Sequence, residues 1–226
     1  MYKYETHLHS APVSKCARVS VRENLEFYKS MGYDGVFLTN HFINGNINID
    51  KELPYAEKIE FFFTDYEEAL SISSEIGIKV FLGVEMSFSG NDFLIYGLDK
   101  EWYLSHPEIA ELKPPAILSL CKENGALVVH AHPFREAGYI DHISLFPAQT
   151  EGVEIYNACR TDFENEMARQ YAANYGKLTL AGTDNHSGSG RVTFGGVEFD
   201  TPLTSEADFI ARTRAGEAKI FKDQIE

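Results

Sequence analysis

Short apolar runs alternate with longer segments of helical period along most of this chain. GVFLT, KVFLGVE, ALVVHAH, GVEIYN and KLTLAGT are rich in Val, Ile, Leu and Phe, and have the length of buried parallel strands. Between and after them, VSVRENLEFYKSMG, YAEKIEFFFTDYEEALSISSEIG, HPEIAELKPPAILSLCKENG, TDFENEMARQYAANYG and TSEADFIARTRAG carry helix-start residues and end at or near Gly. Strand–helix alternation of this kind admits an open doubly wound sheet or a barrel of parallel strands wrapped by helices. Neither an internal repeat nor a low-complexity linker is visible, and the Asn-rich FINGNINID reads as a loop.

The polar residues choose between the two. His7 and His9 follow the first short strand, in THLHS. Extended side chains alternate, so this pair shares one face, with Leu8 pointing away. Alone, such a pair reads better as a polar strand end or a tag remnant; it means metal only with distant partners. Those partners sit at other strand ends: Asn40 and His41 after GVFLT, Glu85 ending KVFLGVE, His130 and His132 ending ALVVHAH, Glu154 and Asn157 in GVEIYN, Asp184 and His186 after KLTLAGT. In a parallel barrel all these ends meet on one face, whereas an open sheet spreads them along a crevice. The barrel is therefore expected. Imidazole and carboxylate together suit Zn, Mn or Fe, and a carboxylate such as Glu85 can bridge two ions. His106 and His142 fall outside the pattern and are read as structural.

Composition narrows the partners. At 226 residues, with 44% hydrophobic and 24% charged residues, the chain is long enough for one large core, and one domain over residues 1–226 is expected. A net charge of −14 argues against broad adhesion to nucleic acid or anionic membrane. Cys16, Cys121 and Cys159 are widely spaced, odd in number and in no CxxC pattern, which fits a reducing cytoplasm better than a disulfide framework. No apolar run reaches the length of a membrane span, and the charged start lacks the apolar core of a signal peptide.

THLHS, LTNHF, GVE, HAHPF and GTDNH, in that order from Glu5 to Ser187, resemble the motif series of the PHP (polymerase and histidinol phosphatase) family. The resemblance implies a distorted, TIM-like (β/α)7 barrel with two or three divalent transition metals at the C-terminal strand ends, hydrolysing phosphoesters. By motif position it assigns His7, His9 and Asp184 to a first metal, with Glu85 bridging to a second. It also assigns His132 to that second metal, and Asp92, in DFLIYG, takes a seat that the family often gives to histidine. His41 and His186 match ligands of a third ion.

One departure stands out. Many relatives carry an Asp or His shortly after the first motif, completing the third site, whereas this chain has Ser14, Lys15 and Cys16 there. Cys16 could coordinate as a thiolate or simply pack, and Lys15 or Arg18 could bind phosphate. The expectation is two metals with an optional third, the third held weakly by His41 and His186. His130, two residues before His132 in a strand, is expected to share its face and act as a hydrogen-bond partner.

Phosphoester hydrolysis at paired metals needs an acidified water and a cation for the phosphoryl oxygens. Arg135 in HPFRE is the leading candidate for that cation, with Arg18, Arg160 and Arg191 as alternatives, and His41 or His186 could protonate the leaving alkoxide. The expected function is hydrolysis of a phosphorylated small molecule, as a phosphatase or phosphodiesterase. A nuclease would call for a basic stripe with interleaved aromatics, which the sequence lacks, though nucleic acid stays open. A non-catalytic metal-binding domain fits poorly with the intact Glu85 and Asp184-x-His186. Amide hydrolysis is the remaining alternative, although no strand-end lysine is present to bridge metals.

Overall fold

The structure is a computed structural model and describes residues 1–190 and 192–224. Nine strands form one sheet: β1 (Tyr2–Leu8), β2 (Gly35–Leu38), β3 (Lys79–Phe88), β4 (Asn91–Tyr96), β5 (Leu127–Ala131), β6 (Gly152–Asn157), β7 (Leu178–Gly182), β8 (Thr193–Phe199) and β9 (Lys219–Gln224). Their spatial order is 7-6-5-4-3-2-1-8-9. The strands β1, β2 and β3 are mutually parallel, as are β5, β6 and β7.

The sheet curls until its two halves almost meet. The free edge of β1 is shared: its first half pairs antiparallel with β8, while its end meets the segment leaving β7. There the Asp184 N–H donates to His7 O at 2.8 Å and the His9 N–H to Asn185 O at 3.1 Å. The result is a nearly closed barrel, and it differs from a regular succession of seven βα units in two ways. The strand β4 runs antiparallel to both neighbours. It returns from β3 through a two-residue turn in which Ser89 (φ 51°) and Gly90 (φ 90°) both take the positive φ such hairpins need. The two C-terminal strands β8 and β9 add a second antiparallel element outside β1–β7.

Helices cover the outside: α1 (Val21–Ser30), α2 (Tyr55–Ile76), α3 (Lys100–Ser105), α4 (Pro114–Glu123), α5 (Asp162–Tyr175) and α6 (Glu206–Arg214). Local sequence sets their ends. The caps Ser20 and Thr161 accept from the N–H of Glu23 and Glu164, whose carboxylates reach back to the cap N–H in reciprocal capping boxes. Gly77 and Gly176 end α2 and α5 in left-handed conformation. The stretch expected as one helix from His106 to Gly125 is divided into a 3-10 turn at Pro107–Ala110 and then α4, because Pro114 and Pro115 can open a helix but cannot continue one. Among the described residues no helix is long and apolar enough to cross a membrane.

Strand parity divides the core in two and points the site inward. Tyr4, Phe37, Phe81, Leu94, Tyr96, Leu127, Val129 and Leu180 form one buried cluster with Phe209 and Ile210 of α6, the plug of the barrel. Val84, Met86, Phe93, Ile95 and Val128 pack instead with Ile59, Phe62 and Phe63 of α2 and Ile117 and Leu118 of α4. Because side chains alternate, Phe81 and Glu85 share the inward face of β3, and Tyr96, Leu94 and Asp92 that of the reversed β4. An apolar floor and a polar mouth follow from the same parity.

Candidate metal centre

At that mouth, all eight of the expected ligands come together. His7 Nε2 lies 3.2 Å from Glu85 Oε1 and 3.6 Å from Asp184 Oδ1. His9 Nε2 lies 3.5 Å from Glu85 Oε2 and 3.4 Å from Asp184 Oδ1. His132 Nε2 stands 3.5 Å from Glu85 Oε1 and 3.8 Å from an oxygen of each of Asp92 and Asp184. His41 Nδ1 approaches Glu85 Oε2 at 2.6 Å. Three groups have ligand atoms mutually within 4.8 Å: His7–His9–Asp184, His7–Glu85–His132 and His9–His41–His186. Glu85 stands nearest the middle, within 3.5 Å of ring nitrogens of His7, His9, His41 and His132.

The residues fit a metal on independent grounds. Nε2 of His7 and of His9 are fully buried yet have no hydrogen-bond partner, and His41 Nδ1 and Glu85 Oε2 approach each other out of hydrogen-bond alignment. Leaving such atoms unsatisfied in the interior is costly unless their lone pairs serve a common ion. The tautomers agree. His7 Nδ1 meets Glu154 Oε1 at 2.9 Å and must be the donor to a carboxylate, leaving the Nε2 lone pair for the site. Ser14 Oγ donates to Asn40 Oδ1 at 2.8 Å, so it can only accept from His9 Nδ1 at 3.1 Å, and His9 likewise presents Nε2.

These contacts give specific tasks to residues that the sequence reading had only placed at strand ends, and add Asp65. Glu154 of β6 supports two ligands at once: its Oε2 accepts from the His132 N–H at 3.0 Å and from Asn157 Nδ2 at 3.0 Å. Asn40 donates to Asp65 of α2 at 2.9 Å, so the chain Asp65–Asn40–Ser14 steadies His9. Ser14 is a positioning residue in the very segment where a ligand is missing. Gly182 is required as well: a Cβ there would stand 2.5 Å from His7 Cβ and 3.0 Å from Glu154 Oε1.

Three expectations change. His130 does not share a face with His132: it points outward, stacked on Phe93 with centroids 4.7 Å apart, and neither of its ring nitrogens has a partner. Burial pushes it down to about 3, so it behaves as a neutral aromatic. The alternation fails because His132 lies past the strand end with φ 27°, which swings its side chain inward. Asp92 is buried at the site but bonds Arg135 Nη2 at 3.0 Å, closer than its 3.8 Å to His132. Of the candidate phosphate ligands, Arg135 and Arg160 line the cavity of about 490 Å³ above the site and Arg18 does not. Arg191 lies outside the described residues. His106 is structural, its Nδ1 donating to Trp102 O at 2.7 Å.

Residues 162–218, from α5 to just before β9, match the family model described as PHP-associated. The whole fold aligns with a two-domain protein from Bacteroides vulgatus described as containing a predicted PHP-like metal-dependent phosphoesterase (TM-score 0.64, 14% identity), covering 97% of this chain and 64% of that one. The match and the shared fold support the PHP domain family for this chain. The chain spans less than two thirds of that relative. A protein from Bifidobacterium adolescentis described as a metal-dependent phosphoesterase aligns at TM-score 0.55 and 14% identity, over 83% of this chain and 88% of that one. An amidohydrolase from Chromobacterium violaceum, with bound sulfate and no metal, aligns at 0.51 and 14%, over 82% and 88%. At such identities the solved structures speak for the fold. No curated protein matches the sequence.

The electrostatics of this candidate centre are those of a site that would favour cations. Burial opposes charge on Glu85, yet His41 and His7 hold it well below the usual carboxylate range, and Asp184 is held down by His7 and His9 in the same way. Burial likewise works against a charged His7 and His41. Glu154, Asp184 and Glu85 outweigh it at His7, holding it well above the usual range, and Glu85 with Cys16 raises His41 to about 10. His9 stays neutral, its pKa lowered by burial and by His186 and His41. At pH 7 the metal-free protein therefore carries protons on His7 and His41 that a cation must displace. Metal affinity should rise with pH up to about 10, where His41 loses its proton unaided. Binding calorimetry at pH 7 in buffers of different ionisation enthalpy should show proton release; a heat independent of buffer would contradict this assignment.

Proposed function

We propose that residues 1–226 form a single PHP domain that hydrolyses a phosphorylated small molecule, as a phosphatase or phosphodiesterase, using two or three divalent transition metals. The observation that carries the reading is the convergence of His7, His9, Glu85, His132 and Asp184 around unpartnered, buried ligand atoms beneath a cavity lined by Arg135 and Arg160. His7, His9 and Asp184 would hold one ion, and Glu85 and His132, with Asp92 beside them, a second. When bound, such ions supply the positive charge that acidifies a water and polarises a phosphoryl oxygen.

The chain's own residues do the rest. Arg135, its side chain 18% exposed and tethered to Asp92, offers its guanidinium to the phosphoryl oxygens from the cavity wall. Arg160 Nε is buried without a hydrogen-bond partner, a donor in reserve for an anion. Glu154 and Ser14 keep His7 and His9 in ligand-ready tautomers. On the leaving side stand His41 and His186, whose task depends on whether a third ion sits between them. Free cysteines at 16, 121 and 159 agree with a reducing cytoplasm.

Protein reconstituted with Mn²⁺, Zn²⁺ or Fe²⁺ should hydrolyse a small phosphomonoester or phosphodiester, lose that activity on chelation and regain it with metal. Parallel assays on single-stranded DNA and on an amide decide the alternatives. Turnover confined to either of those would overturn the reading.

A further inference from the structure

Cys16 is unused above, yet it lines the mouth of the same cavity beside His41 and His186. It stands at the position where the sequence lacked a third-ion ligand. We propose that Cys16 coordinates as a thiolate together with His41 and His186, making the outer metal position a sulfur-containing site that prefers borderline-soft ions such as Zn²⁺, Co²⁺ or Fe²⁺ to Mg²⁺ or Mn²⁺. This inference rests on the metal-centre reading and refines it, replacing the weak two-histidine site expected from sequence.

Four observations carry it. The ligand atoms of His9, His41 and His186 lie within 4.8 Å of one another, a spacing for one ion, and His9 Nε2 is fully buried and unpartnered. His186 Nδ1 meets Asp184 O at 2.9 Å; a carbonyl only accepts, so Nδ1 bears the proton and Nε2 of the neutral ring keeps its lone pair. The imidazoles form a wall, His9 stacking on His186 with centroids 4.2 Å apart and lying 4.4 Å from His41. The turn carrying Cys16 is pinned on both sides: the Lys15 N–H donates to Asn46 O at 2.9 Å, the Ala17 N–H to Ser14 O at 3.1 Å, and the Arg18 N–H to His186 O at 2.8 Å. That last bond ties the cysteine's segment to its proposed co-ligand.

The donor set then dictates the ion. One thiolate with imidazoles is a tetrahedral zinc-type set, whereas Mg²⁺ and Mn²⁺ favour oxygen. Coordination costs the thiol its proton, released to solvent, and involves no redox change. The other cysteines are placed differently: Cys159 Sγ donates to Asp184 O at 3.0 Å, and Cys121 is on the buried face of α4, in the core.

Cobalt supplies a readout independent of turnover. Metal-free protein loaded with Co²⁺ should develop the near-ultraviolet sulfur-to-cobalt charge-transfer band. Cys16→Ser should abolish the band, Cys159→Ser should retain it, and Cys16→Asp should hold the ion without it. Should Cys16→Ser not fold, X-ray absorption of zinc-loaded Cys159→Ser protein serves instead, with a sulfur scatterer expected at about 2.3 Å. Full cobalt uptake without the band, a band that survives Cys16→Ser, or no sulfur near zinc would overturn the proposal while leaving the binuclear reading standing. Failure to take up cobalt at all would overturn both.

Discussion

Glu85→Gln should reduce phosphoester turnover by at least about 10³-fold, close to 4 kcal/mol of transition-state stabilisation, and should lower bound metal from two or more ions per chain to one at most. Its carboxylate lies within 3.5 Å of ring nitrogens of His7, His9, His41 and His132, so no other group sees as much of the centre. Two divalent ions held a few ångströms apart repel strongly, and a shared negative charge between them is what makes the pair tolerable. Glutamine keeps the volume and removes the charge. The backbone around it is fixed independently, by the Phe42 N–H donating to Glu85 O and the Glu85 N–H donating to Asn40 O, so far-ultraviolet circular dichroism should be unchanged. Elemental analysis and steady-state kinetics together test it. Wild-type turnover with full metal content in the variant would refute the bridging role.

What the sequence made legible was the part governed by local period. The five apolar runs are β2, β3, β5, β6 and β7, and the inward parity of Phe81 and Glu85 follows from simple alternation. β4 was hidden because DFLIYG reads as a fragment of motif, and its reversal depends on the positive φ of Ser89 and Gly90. β8, with its Gly195–Gly196 pair, and β9, with its charges, lack the apolar density of buried parallel strands. At the site, residue types marked the candidate ligands, since histidines and carboxylates stand at successive strand ends. Conformation was not betrayed: His132 leaves the face that alternation would have it share with His130 through one backbone angle. Asp65 was invisible for another reason. It lies on a helix whose buried face is otherwise Ile59, Phe62, Phe63 and Ala69, and only the tertiary fold brings it to Asn40 and Ser10.

Glu154 is where legibility and consequence part furthest, because a residue outside the expected ligand set holds two of its members, His7 and His132. Its Oε1 accepts from His7 Nδ1, and its Oε2 from the His132 backbone and Asn157 Nδ2. All three neighbours are donors. Glutamine offers one acceptor oxygen and turns an NH₂ toward a donor, so in Glu154→Gln either His132 N–H loses its partner or His7 switches tautomer. A switched His7 points Nε2–H at Glu85 and Asp184 and cannot ligate. Metal affinity should fall about 10–100-fold, the usual effect of removing a ligand's supporting carboxylate. The pH profile distinguishes this from simple loss of structure. Glu154 is the leading charge that raises His7 against the opposing effect of burial, so without it His7 binds its proton less tightly and competes less with metal. The affinity of the variant should therefore depend less steeply on pH, with its deficit largest at high pH, where wild-type His7 has shed its proton, and smallest at low pH. A deficit equal at every pH would mean that Glu154 only holds the fold together, and would remove it from the control of His7.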